Sequence, residues 1–181
     1  PSRAVPPGAV VSVFRRGGGD PTSRRDHDAW WFGWLTPDGA VTLRLSVSAA
    51  AGEVAAQAWG AGSGWALEKV PDLVGERDDP TGFEPLHAPV GEARRVFPGW
   101  RVPRSGLVLQ ALVPSVIEQK VTGQEAFSGY RRLVTRFGEP APGPGSDLGL
   151  RVPPTAAGWA GIPSWEWLAA GVDPARSRTV V

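Results

Sequence analysis

Between residues 10 and 59 the chain reads as strands and turns, with apolar positions at every second residue most clearly at 41–48. Val41, Leu43, Leu45 and Val47 alternate with Thr42, Arg44, Ser46 and Ser48, the period that turns one side of a strand to a core and the other to water. The turn-forming tetrapeptide Thr36-Pro37-Asp38-Gly39 stands before this run and joins it to residues 29–35, so an antiparallel hairpin is predicted. Residues 10–15 and 53–59 supply two further candidate strands, the latter with Val54, Ala56 and Ala58 in alternation. A sheet of about four strands follows. Residues 65–73 predict a helix over one face of it, with Pro71 disturbing its end.

After Pro89 the period changes to that of a helix. Asp78, Asp79, Pro80, Thr81, Gly82, Glu84 and Pro85 break the pattern, which places a passage between two domains at 75–89 and divides the chain into 1–88 and 89–181. Within 107–137 one stripe holds Leu109, Leu112, Val113, Val116 and Ile117, and a second holds Ala126, Phe127, Tyr130, Leu133, Val134 and Phe137. Two helices therefore meet at a short polar tip, Glu118, Gln119, Lys120, Val121, Thr122 and Gly123. Thr122 and Glu125 have the spacing of a capping box, each side chain bonding the other's backbone amide. Pro114 removes one hydrogen bond from the first helix and predicts a kink there. Residues 139–147, EPAPGPGSD, read as a connector without evident chemistry.

Composition narrows the chemistry. The 181 residues include no Cys and no Met, Lys only at Lys69 and Lys120, and His only at His27 and His87, so disulfide, thiolate and histidine-rich metal sites are not expected. The net charge of +1 conceals a division. Residues 1–89 hold eight basic and eleven acidic side chains, a net of −3, and residues 90–181 hold eleven and seven, a net of +4. The basic part is the one with the tip. No stretch has the length of a membrane span, and a cytoplasmic location is expected. The absence of Met at the start, and an N-cap and Pro at Asp173-Pro174 only eight residues before Val181, suggest a part of a longer protein.

From Phe97 onward the residues carry a resemblance. FPGWRVPRSG before the first helix, VIEQKVTG at the tip, YRRLVTRFGEP closing the second helix, and then LRVPPTAAGWAGIPSWEWLAAGVDPARSRTVV follow one another in an order and spacing that resemble the alkyladenine (3-methyladenine) DNA glycosylases, family II of the helix-hairpin-helix DNA glycosylase superfamily. The resemblance implies an α+β fold: an amino-terminal antiparallel sheet domain with a packed helix, then the first part of an all-α helix-hairpin-helix glycosylase domain. It implies base excision repair of alkylated purines such as 3-methyladenine by hydrolysis of the N-glycosidic bond. It also implies double-stranded DNA with a damaged base as partner, a monomer, and no cofactor.

Under this resemblance Gln119, Lys120, Val121, Thr122 and Gly123 are the DNA-binding residues. Gln119 and Lys120 have two readings, a wedge entering the minor groove beside a flipped base, or a helix end facing water. Related proteins carry an apolar wedge after the Gln, where this chain has Lys120, which suggests minor-groove or phosphate contact in place of intercalation. Lys120 is not a Schiff-base nucleophile, because the family's lyase lysines belong to the hairpin. Phe97-Pro98-Gly99-Trp100 imitates that phosphate-binding hairpin, but Arg101 replaces its second glycine and the stretch precedes the tip, so it reads as an interdomain loop. The catalytic aspartate is expected beyond Val181, with Asp173 an N-cap instead. Arg131, Arg132 and Arg136 suit either dipole compensation or phosphate contact. The nine Trp residues suit core packing above all. Two other functions stay open: a non-catalytic DNA-binding domain, and a carbohydrate-binding module that would use exposed coplanar Trp side chains of the sheet.

Overall fold

The computed structural model describes residues 9–27, 29–48 and 53–181. Four strands, β1 (Ser23–Asp26), β2 (Ala29–Thr36), β3 (Gly39–Ser48) and β4 (Glu53–Trp59), form an antiparallel meander in chain order. The predicted hairpin is β2 and β3, turning at Pro37 and Asp38, with Trp30 opposite Leu45, Phe32 opposite Leu43 and Trp34 opposite Val41. These six side chains share one face and make the first core with Val11, Leu73, Val74 and Leu107. The Trp side chains that a sugar-binding platform would need are consequently interior, Trp30 at 5% and Trp34 at 4% exposure.

Residues 10–15 are not a strand. Val11–Phe14 is a 3-10 turn, and the fourth strand is β1, two-thirds of the way to the hairpin. The buried Asp20 carboxylate sets this exchange by accepting from Arg16 N, Thr22 N and Thr22 Oγ1 at 2.8 Å each and from Ser23 Oγ at 3.0 Å. Those bonds bend the chain away from the sheet before Ser23 and start β1 after it. The predicted helix at 65–73 is two short ones, α1 (Ser63–Glu68) and α2 (Val70–Leu73), with Pro71 in the first turn of α2, where it needs no amide hydrogen.

The sheet's second face is covered by the segment that reads as a connector. β5 (Glu139–Pro140), α6 (Pro144–Asp147) and β6 (Arg151–Val152) bring Ala141, Leu150 and Val152 onto Trp31 and Leu35. Arg151 N donates to Pro21 O at 2.7 Å and Thr42 Oγ1 to Pro142 O at 2.6 Å. A Cβ at Gly33 would collide with the Arg151 carbonyl, so glycine is what lets this segment lie directly on β2.

Helices α3 (Ala88–Val96), α4 (Val108–Ile117), α5 (Gly123–Phe137), α7 (Ala156–Ala160), α8 (Ser164–Ala169) and α9 (Pro174–Val180) make up most of the rest. Their core is Val113, Ile117, Tyr130, Leu133, Val134, Trp159 and Trp167, with Trp159 stacked on Tyr130 at 6.5 Å and tilted against Trp167 at 5.8 Å. Trp165, expected in packing, is 66% exposed, because α8 is only six residues long and presents Trp167 alone of the pair to the core. Among the described residues no helix is long and apolar enough to cross a membrane.

Candidate nucleic-acid interface

Helix α4 ends at Ile117, and its last turn closes through Glu118 N to Pro114 O at 2.9 Å and Gln119 N to Val116 O at 3.2 Å. The chain then reverses at Lys120, whose φ of +58° is left-handed, a place where glycine is the usual occupant. A side chain there costs roughly 1–2 kcal/mol and persists only where the surroundings impose it. Val121 returns half-buried to the helical core, and Thr122 is the extended N-cap of α5. The capping box forms as predicted: Glu125 N donates to Thr122 Oγ1 at 3.3 Å and Thr122 N to Glu125 Oε2 at 3.0 Å. The Thr122 amide, and then the Thr122 hydroxyl donating to Oε2 at 2.8 Å, hold the Glu125 carboxyl below the usual glutamate range. The fold thus gathers all five predicted site residues into one corner, with Gln119, Lys120, Thr122 and Gly123 exposed.

The corner is fixed from behind by a residue that the sequence did not single out. Arg176, 8% exposed, donates from Nη1 to Ile117 O at 2.7 Å and from Nη2 to Gly171 O at 3.3 Å, and its Nε pairs with Asp173 Oδ2 at 2.8 Å. A guanidinium thereby occupies the negative end of α4, where the final carbonyls lack partners within the helix. Asp173 is the N-cap of α9, accepting from Ala175 N and Arg176 N. Its carboxyl is held below the ordinary range, first by the Arg176 amide and then by the Arg176 side chain. The signal available in the sequence was the spacing Asp-Pro-x-Arg, which puts the cation three residues after the cap.

From the side, Arg16 reaches Glu118 at 3.8 Å. The run Gly17-Gly18-Gly19 lies against α5: a Cβ at Gly17 would meet the Phe127 ring at 2.7 Å, and one at Gly19 the Arg131 guanidinium at 2.5 Å. This run is a close packing contact with α5. Two of the three arginines at the end of α5 are engaged within the fold, Arg132 with Ala169 O at 3.2 Å and Arg136 with Glu166 at 2.6 Å.

One stripe departs from its prediction. Leu109 and Leu112 are 40% and 51% exposed, while Val113, Val116 and Ile117 are buried as expected. The elements packed on α4 are chiefly α5 and α9, and they leave Leu109 and Leu112 open. Among the described residues no three acidic, His or Cys side chains lie together as a metal-binding group. The loop at Phe97-Pro98-Gly99-Trp100 closes as a tight turn, Trp100 N to Phe97 O at 3.0 Å, with Phe97 58% exposed.

No family model matches the chain, and no curated protein matches it. Among solved structures it is similar to the 3-methyladenine DNA-glycosylase from Archaeoglobus fulgidus, with a TM-score of 0.75 at 14% sequence identity. The match covers 99% of this chain and 63% of that one. At such identity the likeness is one of fold, and the fold of this chain is DNA-glycosylase-like.

Proposed function

We propose that this chain is the sheet domain (residues 1–88) and the beginning of the helical domain (residues 89–181) of a DNA glycosylase acting on alkylated purines in double-stranded DNA. The observation that carries the reading is the tip. Gln119 and Lys120 project from a corner held by two buried helix faces, a capping box and the Arg176 guanidinium, on a glycosylase-like fold. A rigid corner of this kind meets a minor groove without losing much conformational freedom on binding. Lys120 supplies a positive charge for a backbone phosphate, and Gln119 a neutral donor and acceptor beside an extruded base.

The reaction is hydrolysis of the N-glycosidic bond of the flipped base. Alkylation makes the purine cationic and hence a good leaving group, so the chemistry needs a carboxylate to stabilise charge developing on the sugar, and no redox group. The reading assigns that carboxylate to the portion of the neighbour's length that this chain does not span. Asp173 is unsuited, because its oxygens already serve the α9 cap and Arg176. The same observation favours a second reading, a DNA-binding domain without catalysis, and release of free 3-methyladenine from alkylated duplex separates the two.

The direct test is duplex binding. Gln119→Ala and Lys120→Ala should each weaken binding to a duplex with an abasic site while leaving the melting temperature nearly unchanged. Removing Lys120 should reduce the slope of log affinity against log salt by up to about one, and removing Gln119 should leave the slope alone. Parental affinity in both variants would reduce the tip to helix capping.

A further inference from the structure

A cleft of about 390 Å³ lies between the turn at Gly18 and Gly19, strand β1 and residues 148–150, and it gathers guanidinium groups from separate elements. Arg15, just past the 3-10 turn, and Arg24 and Arg25 of β1 line it. Arg131 of α5 reaches the same wall, since a Cβ at Gly19 would stand 2.5 Å from its guanidinium carbon. None of these four cations forms an ion pair among the described residues. Arg15 donates to the carbonyls of Gly17 at 2.9 Å and Gly18 at 2.8 Å, and Arg24 to that of Leu148 at 3.2 Å. Arg25 lies over the Trp30 ring at 5.8 Å. The one carboxylate in the lining, Asp20, already accepts four hydrogen bonds within its own turn.

Like charges brought to one cleft repel each other, and residues 1–89 carry a net charge of −3, so composition does not account for the grouping. Edge strands carry charge to discourage pairing with other chains. That explains Arg24 and Arg25, but Arg15 and Arg131 come to the same place from two other elements. A guanidinium is a planar fork that meets two oxygens of a phosphate at once. Forks already placed by carbonyls lose little freedom when a ligand arrives. The volume agrees as well, because sites for small molecules begin near ~300 Å³.

We infer that this cleft binds a phosphate group, held by the forks of Arg15, Arg24 and Arg25 and met by Arg131 from the side of Gly19. A free phosphate ester and the backbone of a duplex share that chemistry; the second source rests on the glycosylase reading proposed above. Arg16, next to Arg15, reaches Glu118 beside the tip at 3.8 Å, and eight residues of α5, on the order of 12 Å, separate Gly123 from Arg131. A duplex lying along α5 from the tip therefore presents backbone charge at the cleft.

The test has two arms. In the first, the chain is titrated with inorganic pyrophosphate at about 0.15 M salt while its melting temperature is followed, because a ligand held only by the folded chain raises it. A saturable rise is expected in the parent, with affinity at least about tenfold weaker in Arg24→Gln and in Arg131→Gln. Arg95→Gln should match the parent, since Arg95 pairs with Glu92 on α3 and does not line the cleft. In the second arm, binding of an abasic duplex is measured against salt. Arg24→Gln and Arg131→Gln should each lower the slope of log affinity against log salt by up to about one, and Arg95→Gln should not. Without ligand the melting temperature of the two cleft variants should be unchanged or raised, because a like charge is gone. Should Arg24→Gln fail to fold, Arg131→Gln decides alone, as Arg131 has no hydrogen bond or ion pair among the described residues. A response of the cleft variants in either arm supports the inference, pyrophosphate identifying a free phosphate ester as the source and the salt slope identifying the duplex. An equal loss in Arg95→Gln, or no effect of the cleft variants in both arms, overturns it. Gln119→Ala and Lys120→Ala should leave pyrophosphate binding unchanged, so absence of duplex binding by the parent sinks the glycosylase reading while the pyrophosphate arm still decides this one.

Discussion

Helices α5 and α3 both place apolar residues at spacings of three and four, yet their surroundings differ completely. In α5, Ala126, Tyr130, Leu133 and Val134 are between 0% and 4% exposed. In α3 the corresponding series is Val90, Ala93 and Phe97 at its cap, with Val90 42% and Phe97 58% exposed, and no residue of the helix is buried. The apolar side of α3 lines an open groove of about 590 Å³ with Phe83 and Trp100. Their ends differ too, since α5 starts with a complete capping box and the N-cap of α3, His87, makes no side-chain bond. Periodicity therefore gives the direction of an apolar face and says nothing of what lies against it. For α5, the cover is supplied by α4, α7 and α8 from both sides of it in sequence.

The largest effect that tests this contrast is expected at Leu133. Leu133→Ala removes a side chain that is 1% exposed at the centre of the helical core and should lower stability to chemical denaturation by about 2–5 kcal/mol. A loss under about 1 kcal/mol would mean that the core of α5 collapses as freely as the open face of α3. A smaller effect separates the helix ends. Because the capping box depresses the folded-state pKa of Glu125 below its unfolded value, the stabilisation is present above about pH 4.3 and lost as pH falls through the folded value. Melting temperatures taken from about pH 6 to pH 3 should fall less steeply for Glu125→Gln than for the parent; Asp173 and Asp79 are depressed in both, so the difference reports Glu125. Identical slopes would show that the cap does not differ between folded and unfolded chains. The smallest effect belongs to α3: Val90→Ala should change stability by no more than about 0.5 kcal/mol, and a core-sized loss would show its groove to be covered.

The hairpin and the tip were legible because each is encoded locally. Alternation over eight or more residues with a Pro-Asp-Gly turn admits few other structures, and the Thr122 to Glu125 box is complete within four residues. The features that were not legible depend on backbone. Strand β1 reads Ser-Arg-Arg-Asp, with no apolar rhythm, since an edge strand joins the sheet through its amides and carries charge on its sides. Residues 139–152 lie on β2 through an absent Cβ at Gly33 and are held by the carbonyls of Pro21 and Pro142, none of which a side-chain pattern displays. Leu109 and Leu112 share the stripe of Val113 and Val116 in sequence and part from it in space, 40% and 51% exposed where Val113 and Val116 are buried. The acidic turn at Asp20 is local, but its partners are two amides and two hydroxyls that look like ordinary loop residues.

The bond from Arg176 to Ile117 joins positions 59 residues apart, and that separation gives the tip a history in time. On a ribosome adding about 5–20 residues per second, Ile117 is made roughly 3–12 seconds before the guanidinium that caps its helix. The two helices of the corner, adjacent in sequence, pair early and cheaply, whereas the contact that stops the end of α4 from fraying must wait for a long loop to close. The corner is thus first drafted and later locked. Exchange of the amide hydrogens of Glu118 and Gln119 would follow the docking of α9 more closely than the folding of α4 itself.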